Sequence, residues 1–156
     1  MSRFTENEQY SLDLEWFALD SEGNIGSFLS GGLLLPESVA SDKESLLMVL
    51  SYMSRLPCER SEVILNPDLN RYTGYMSMDK KNTYDRVFGS TVRKGIFAFN
   101  RDEMTVALRG YFCVAKPTKV LSVSDVPDAV RLVLERTVYS KGSFLSLPFV
   151  HECDIG

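Results

Sequence analysis

Residues 14–32 read LEWFALDSEGNIGSFLSGG, and the turn at their centre decides the fold. Glu15–Asp20 is rich in aromatic and aliphatic residues, and Asn24–Ser30 alternates in part with small ones, so both flanks read as strands. Ser21-Glu22-Gly23 between them fits a three-residue loop: two right-handed turn residues, then a glycine at positive φ. Asp20 and Asn24 then face each other across the loop mouth, where short polar side chains hold turn amides. This register sets Trp16 opposite Phe28 and Leu19 opposite Ile25. Trp16, Ala18, Gly26 and Phe28 share one face, and Phe17, Leu19, Ile25 and Leu29 the other. With both faces apolar, the hairpin is expected inside the fold, covered on each side. Gly26, across from Ala18, leaves room for a bulky neighbour.

The same DSEGNI resembles the middle of a calcium-binding loop. Aligning Gly23 with that loop's glycine puts Ala18 at the first ligand position and Leu29 at the twelfth. Asp and a bidentate Glu belong there, so two oxygen donors are missing and the hairpin turn is the better reading.

Working outward, Ser41-Asp42-Lys43-Glu44 matches a capping box, followed by Leu46, Val49, Leu50, Met53 and Leu56 at helical spacing until Pro57. A short helix is expected across residues 80–88, continuing toward Arg93, within the irregular segment 58–94. Gly95–Asn100 reads as a buried strand. One or two further strands are expected over Thr105–Leu108 and Tyr111–Ala115, before Lys116-Pro117 breaks the pattern. Val120–Val123 reads as a short strand. Ser124 or Asp125 then caps a helix with Pro127 in its first turn and Val130, Val133, Leu134 and Val138 inward. Ser143–Val150 closes the chain as an edge strand. The fold class expected is α+β: a single domain over 1–156, mainly antiparallel sheet, with an N-terminal β-hairpin and two to three helices.

Composition narrows function by exclusion. Seventeen Lys and Arg against 21 Asp and Glu give a net charge of -4, which disfavours nucleic acid, whose phosphates call for a basic face. It is compatible with a basic protein partner. No window approaches the ~18–20 apolar residues of a membrane span. Three scattered cysteines without a secretion signal point to reduced thiols and the cytoplasm, with Cys113 buried in the string YFCVA.

Chemistry is sparsely marked. Phe28-Leu29-Ser30-Gly31-Gly32 lacks the first glycine of a nucleophile elbow, and His151 is the one histidine available as a base. His151, Glu152, Cys153 and Asp154 are metal-ligand types, but neighbours in an extended tail diverge. No phosphate-cradling glycine motif occurs. No catalytic set, metal or cofactor is therefore assigned. The segment 71–88 has the composition of an interface centre, with Arg71, Tyr72, Tyr75, Met76, Met78, Tyr84 and Arg86 inside a polar stretch. The alternative is that these side chains pin a long loop to the domain.

The hairpin also resembles a known family. Trp16-Phe17-Ala18-Leu19-Asp20-Ser21-Glu22-Gly23-Asn24-Ile25-Gly26-Ser27-Phe28 is similar to the WFxxDxxGxIGxF hairpin of small uncharacterised bacterial proteins of about this length. Leu35-Pro36-Glu37 resembles the LPE that follows it, Lys94–Phe99 a KGxFAF strand, and Pro117 to Pro127 a proline-bounded segment before a helix. Lys119-Val120 stands where that pattern has proline and leucine. Such proteins look like those found beside polymorphic toxins. The resemblance implies an immunity role, in which a non-enzymatic domain binds and blocks a toxin. The competing reading is a small-ligand-binding domain or hydrolase using Ser30-Gly31-Gly32. An acidic face around the tyrosines favours the first; a closed pocket of Ser30, Asp20 and His151 favours the second.

Overall fold

The computed structural model describes residues 2–74 and 77–156, excluding the side chain of residue 103. The hairpin forms first in the chain, as β1 (Glu15–Leu19) and β2 (Ile25–Leu29), antiparallel, with Trp16 opposite Phe28 and Leu19 opposite Ile25. Gly23 takes φ +80°, the left-handed conformation the three-residue loop requires. Asp20 Oδ1 accepts from the amides of Glu22 and Asn24, both at 2.9 Å. Both faces of the hairpin are buried.

The sheet around it is mixed. Strand β2 pairs in parallel with β4 (Phe97–Asn100), reached through a long crossover holding α2 (Glu37–Ala40), α3 (Lys43–Ser54), β3 (Val63–Leu65), α4 (Leu69–Thr73) and α5 (Met78–Arg93). Strand β4 runs antiparallel to β5 (Gly110–Pro117), which also pairs with β3 and with β6 (Val150–His151). The order is β1-β2-β4-β5-β3, mostly antiparallel, with β6 on β5 off that path. The fold is α+β.

Alternation in β4 and β5 divides the core. Phe97, Phe99, Tyr111 and Cys113 face one side with the hairpin, while Ala98, Phe112 and Val114 meet Phe88 and Val92 of α5 on the other. On the first side Phe28 stacks between Trp16 and Phe99 at centroid distances of 4.5 Å each. Phe144 lies against Phe28, Phe97 and Phe99. It fills the space that Gly26 leaves: a Cβ on Gly26 would sit 2.9 Å from Phe144 Cε2.

Several expectations need correction. Among the described residues there are seven α-helices rather than two or three. Three of them, α3, α5 and α7 (Asp128–Leu134), occupy the expected positions and are the longest. The others are short: α1 (Glu6–Ser11), α2, α4 and α6 (Glu103–Ala107). Helix α6 replaces the strand expected over Thr105–Leu108, because Asp102 accepts from the Thr105 amide and Thr105 Oγ1 from the Asp102 amide, closing a capping box. Thr5 and Glu8 do the same for α1. Helix α3 is capped by Asp42, not Ser41; Glu44 instead accepts from Ser2. Strand β5 continues through Lys116-Pro117 to pair with β3. Pro127 is the N-cap residue of α7 rather than a residue of its first turn. Val120–Val123 contributes one bridge, Asn24 to Ser122, before a 3-10 turn. Ser143–Val150 is a 3-10 turn over Phe144–Ser146 and a bend at Leu147, φ +54°, so only Val150 and His151 form strand.

Candidate protein-binding surface

The tyrosine-rich segment folds as α4 and α5 against β3, β4 and β5. Ser77 starts α5 by accepting from the Lys80 amide, and Lys80 Nζ donates to the Thr73 carbonyl, tying the two helices end to end. Two of the predicted interface residues are anchors. Tyr72, half-buried, stacks on Phe112 at 5.5 Å and Phe149 at 5.6 Å. Tyr84 meets Phe88 at 5.7 Å. Burial pushes the Tyr84 phenol up, Asp102 adds to that rise, and a hydrogen bond with Thr73 opposes it.

The remaining described residues of the set face outward. Arg71 and Arg86 are exposed, and Met78 is 71% exposed at the first turn of α5. Val87, which the sequence does not single out, is 54% exposed on the same helix. Tyr75 and Met76 lie outside the described residues. Residues 69–94 carry six Lys or Arg against two Asp in a chain of net charge -4. Arg93 pairs with Asp85 at 3.2 Å, but Arg71, Lys81 and Arg86 have no ion-pair partner among the described residues. The face around the tyrosines is therefore basic, not acidic.

The competing site does not assemble. Ser30 is fully buried; its hydroxyl accepts from the Leu14 amide at 2.9 Å and the Gly32 amide at 3.3 Å. It holds the end of the hairpin rather than serving as a nucleophile. Asp20 sits at the opposite end of the hairpin, occupied by turn amides. His151 is exposed in β6, edge-on to Phe149 at 4.8 Å.

A second polar cluster lies under the Gly31–Leu35 loop, and sequence reasoning misses it. The Arg101 side chain is 1% exposed. Its stem passes Gly31, its guanidinium lies 3.9 Å over the Tyr111 ring, and Nη2 reaches Glu152 at 2.5 Å. Burial pushes the Tyr111 phenol up to about 12, against the Arg101 charge and a side-chain hydrogen bond with Trp16. Arg101-Asp102-Glu103 has the composition of a polar turn, which gives no sign that its arginine is buried. No family model, no curated protein and no solved structure matches this chain.

Proposed function

We propose that this chain is a non-enzymatic protein-binding domain of the immunity type, which neutralises a toxin domain by docking the outer face of α4 and α5 onto it. The observation that supports this reading is the division of labour along α5. Phe88 and Val92 are buried and Tyr84 half-buried, fixing the helix to the sheet, while Met78, Lys81, Arg86 and Val87 are exposed along its length. Apolar groups left exposed on a rigid, well-anchored helix, with cations around them, are suited to an interface centre with a charged rim. The rim is basic where the sequence reading of an immunity domain expects an acidic face and a basic partner, so the surface it suits is instead acidic, since complementary charge speeds encounter and rejects wrong partners.

The experiment is co-expression with a toxin domain encoded immediately upstream of this chain. The wild type should restore growth and co-elute with the toxin. Met78→Asp combined with Val87→Asp should abolish both while leaving the melting curve unchanged. Restored growth by that double variant would place the interface elsewhere, and a wild type that neither protects nor co-elutes would remove the immunity reading.

A further inference from the structure

The sheet ends on β3, and that edge is open. In the antiparallel pair of β3 and β5, the Asn66 amide donates to the Val114 carbonyl at 2.9 Å and the Thr118 amide to the Glu62 carbonyl at 3.4 Å. Residues 62, 64 and 66 therefore turn their main-chain groups toward β5, and the N–H and C=O of Val63 and Leu65 point the other way. No hydrogen bond reaches those four groups from any described residue. The opposite edge differs: at Leu19 of β1 the amide donates to the Thr137 carbonyl and the carbonyl accepts from the Tyr139 amide. Unpaired groups on an edge strand are a template for another strand. The template here is short, because Pro67 at the next outward position has no N–H.

What surrounds this edge decides its occupant. Val63 and Leu65 turn their side chains into the cluster of Phe88 and Val92 under α5. Ile64 turns to the other face, 40% exposed beside its strand partner Lys116. Helix α5 packs on β3 as well as on β5, so a strand added at this edge runs beside the helix. Residues 69–94 carry six Lys or Arg against two Asp, and Lys81, Arg86 and Lys116 have no ion-pair partner among the described residues. Glu62 and Asp68, both exposed, flank the strand and are outnumbered. Two copies of this chain joined at β3 would bring two basic α5 helices together, and like charge disfavours that occupant.

We propose that the β3 edge takes an extended segment of a protein partner as an added antiparallel strand, one whose residues alternate between acidic and apolar. Residues of the segment that bond to Val63 and Leu65 share the α5 face with them, and these are the acidic ones. The residue opposite Ile64 lies on the other face and is apolar. Strand addition of this kind draws affinity from main-chain bonds and selectivity from alternate side chains. Four main-chain groups are few, so charge selects among extended segments. The proposal rests on the basic face of the protein-binding reading and adds the form of the segment that meets it.

The probe is a short capped peptide of alternating glutamate and valine, titrated against the ¹⁵N-labelled chain. Hydrogen exchange at the Val63 and Leu65 amides is the readout. The acidic peptide should slow exchange at both amides saturably. A twin with lysine in place of glutamate should not, nor should a peptide N-methylated at its glutamates, whose N–H groups face β3 in this register. Val63→Pro removes one outward N–H and leaves the ladder to β5 whole. It should keep the wild-type melting curve and weaken the acidic peptide about fivefold or more. If that variant does not fold, the N-methylated peptide carries the same test. Amides that exchange at the free rate with the acidic peptide present would overturn the proposal, as would equal binding by the lysine twin or the N-methylated peptide. Protection that rises with protein concentration and needs no peptide would give the edge to a second copy and overturn it too. No toxin enters this titration, so a flat result leaves the co-expression test standing, and a failed rescue leaves the titration standing.

Discussion

The carboxylate of Asp20, at the mouth of the hairpin turn, accepts a hydrogen bond from the main-chain amide of Phe144 at 2.7 Å, across 124 residues of sequence. Asp20 is 3% exposed and accepts four bonds in all, from the amides of Glu22, Asn24 and Phe144 and from the Asn24 side chain. One side chain thus closes the turn and fastens the ring of Phe144 over it.

Asp20→Ala should therefore destabilise the fold by about 2–4 kcal/mol, because buried donors lose a charged acceptor. Asp20→Asn should be nearly as harmful, since its amide presents N–H groups to amides that already donate. Urea unfolding midpoints decide this; a mild Asp20→Asn would show that the four bonds matter little.

Gly26→Ala places a methyl 2.9 Å from both Phe144 Cε2 and Phe28 Cε1. The backbone there is ordinary strand, so the cost is overpacking alone, about 1–3 kcal/mol, and should appear as a lower melting temperature. Pairing it with Phe144→Leu should recover part of the loss, whereas additive losses would count against direct contact.

Anchors and displayed residues on α4 and α5 should separate cleanly. Tyr72→Ala and Tyr84→Ala each remove a ring packed on Phe112 or Phe88 and should cost about 1–3 kcal/mol. Arg71→Ala, Met78→Ala and Arg86→Ala should stay within about 0.5 kcal/mol of wild type. A loss of binding on replacing the tyrosines together is thus uninformative without an unfolding curve beside it.

Alkali should unfold this protein through its interior. Burial pushes Cys113 up to about 12 from an ordinary 9.0, and Tyr111 up to about 12 from 10.0. Both ionise more readily in the unfolded chain, so their contribution is intact below pH 9 and is lost as pH rises toward 12. Cys113→Ala should lose less stability than wild type across that window, by an amount on the order of 1 kcal/mol or more. In the native state Cys58 and Cys153, both exposed, should react with a thiol reagent at once and Cys113 only on unfolding.

The sequence was most informative where chemistry is local. The hairpin's register follows from alternation and from a loop that only Asp20, Gly23 and Asn24 jointly satisfy, and α3 follows from helical spacing of Leu46, Val49 and Met53. Helix α6 is hidden in the sequence because Thr105 and Val106 favour strands, while the capping bonds that reverse this lie in Asp102 and Thr105 themselves. The parallel pairing of β2 with β4 joins residues about 70 apart, beyond any local signal. Arg101 was illegible for the same reason: its burial depends on Tyr111, Glu152 and Gly31 arriving from three other parts of the chain. Tyr72 and Tyr84 show composition misleading in the opposite sense, as interface residue types spent on anchoring.

The contact between Gly26 and Phe144 also sets an order of events during synthesis. The hairpin leaves the ribosome well ahead of Phe144 and can close its turn at once, but its aromatic stack stays uncovered until residue 144 emerges. Until then the growing chain carries an apolar pit beside Trp16 and Phe28. A nascent chain paused shortly before that point is the form of this protein most exposed to chaperones and to aggregation.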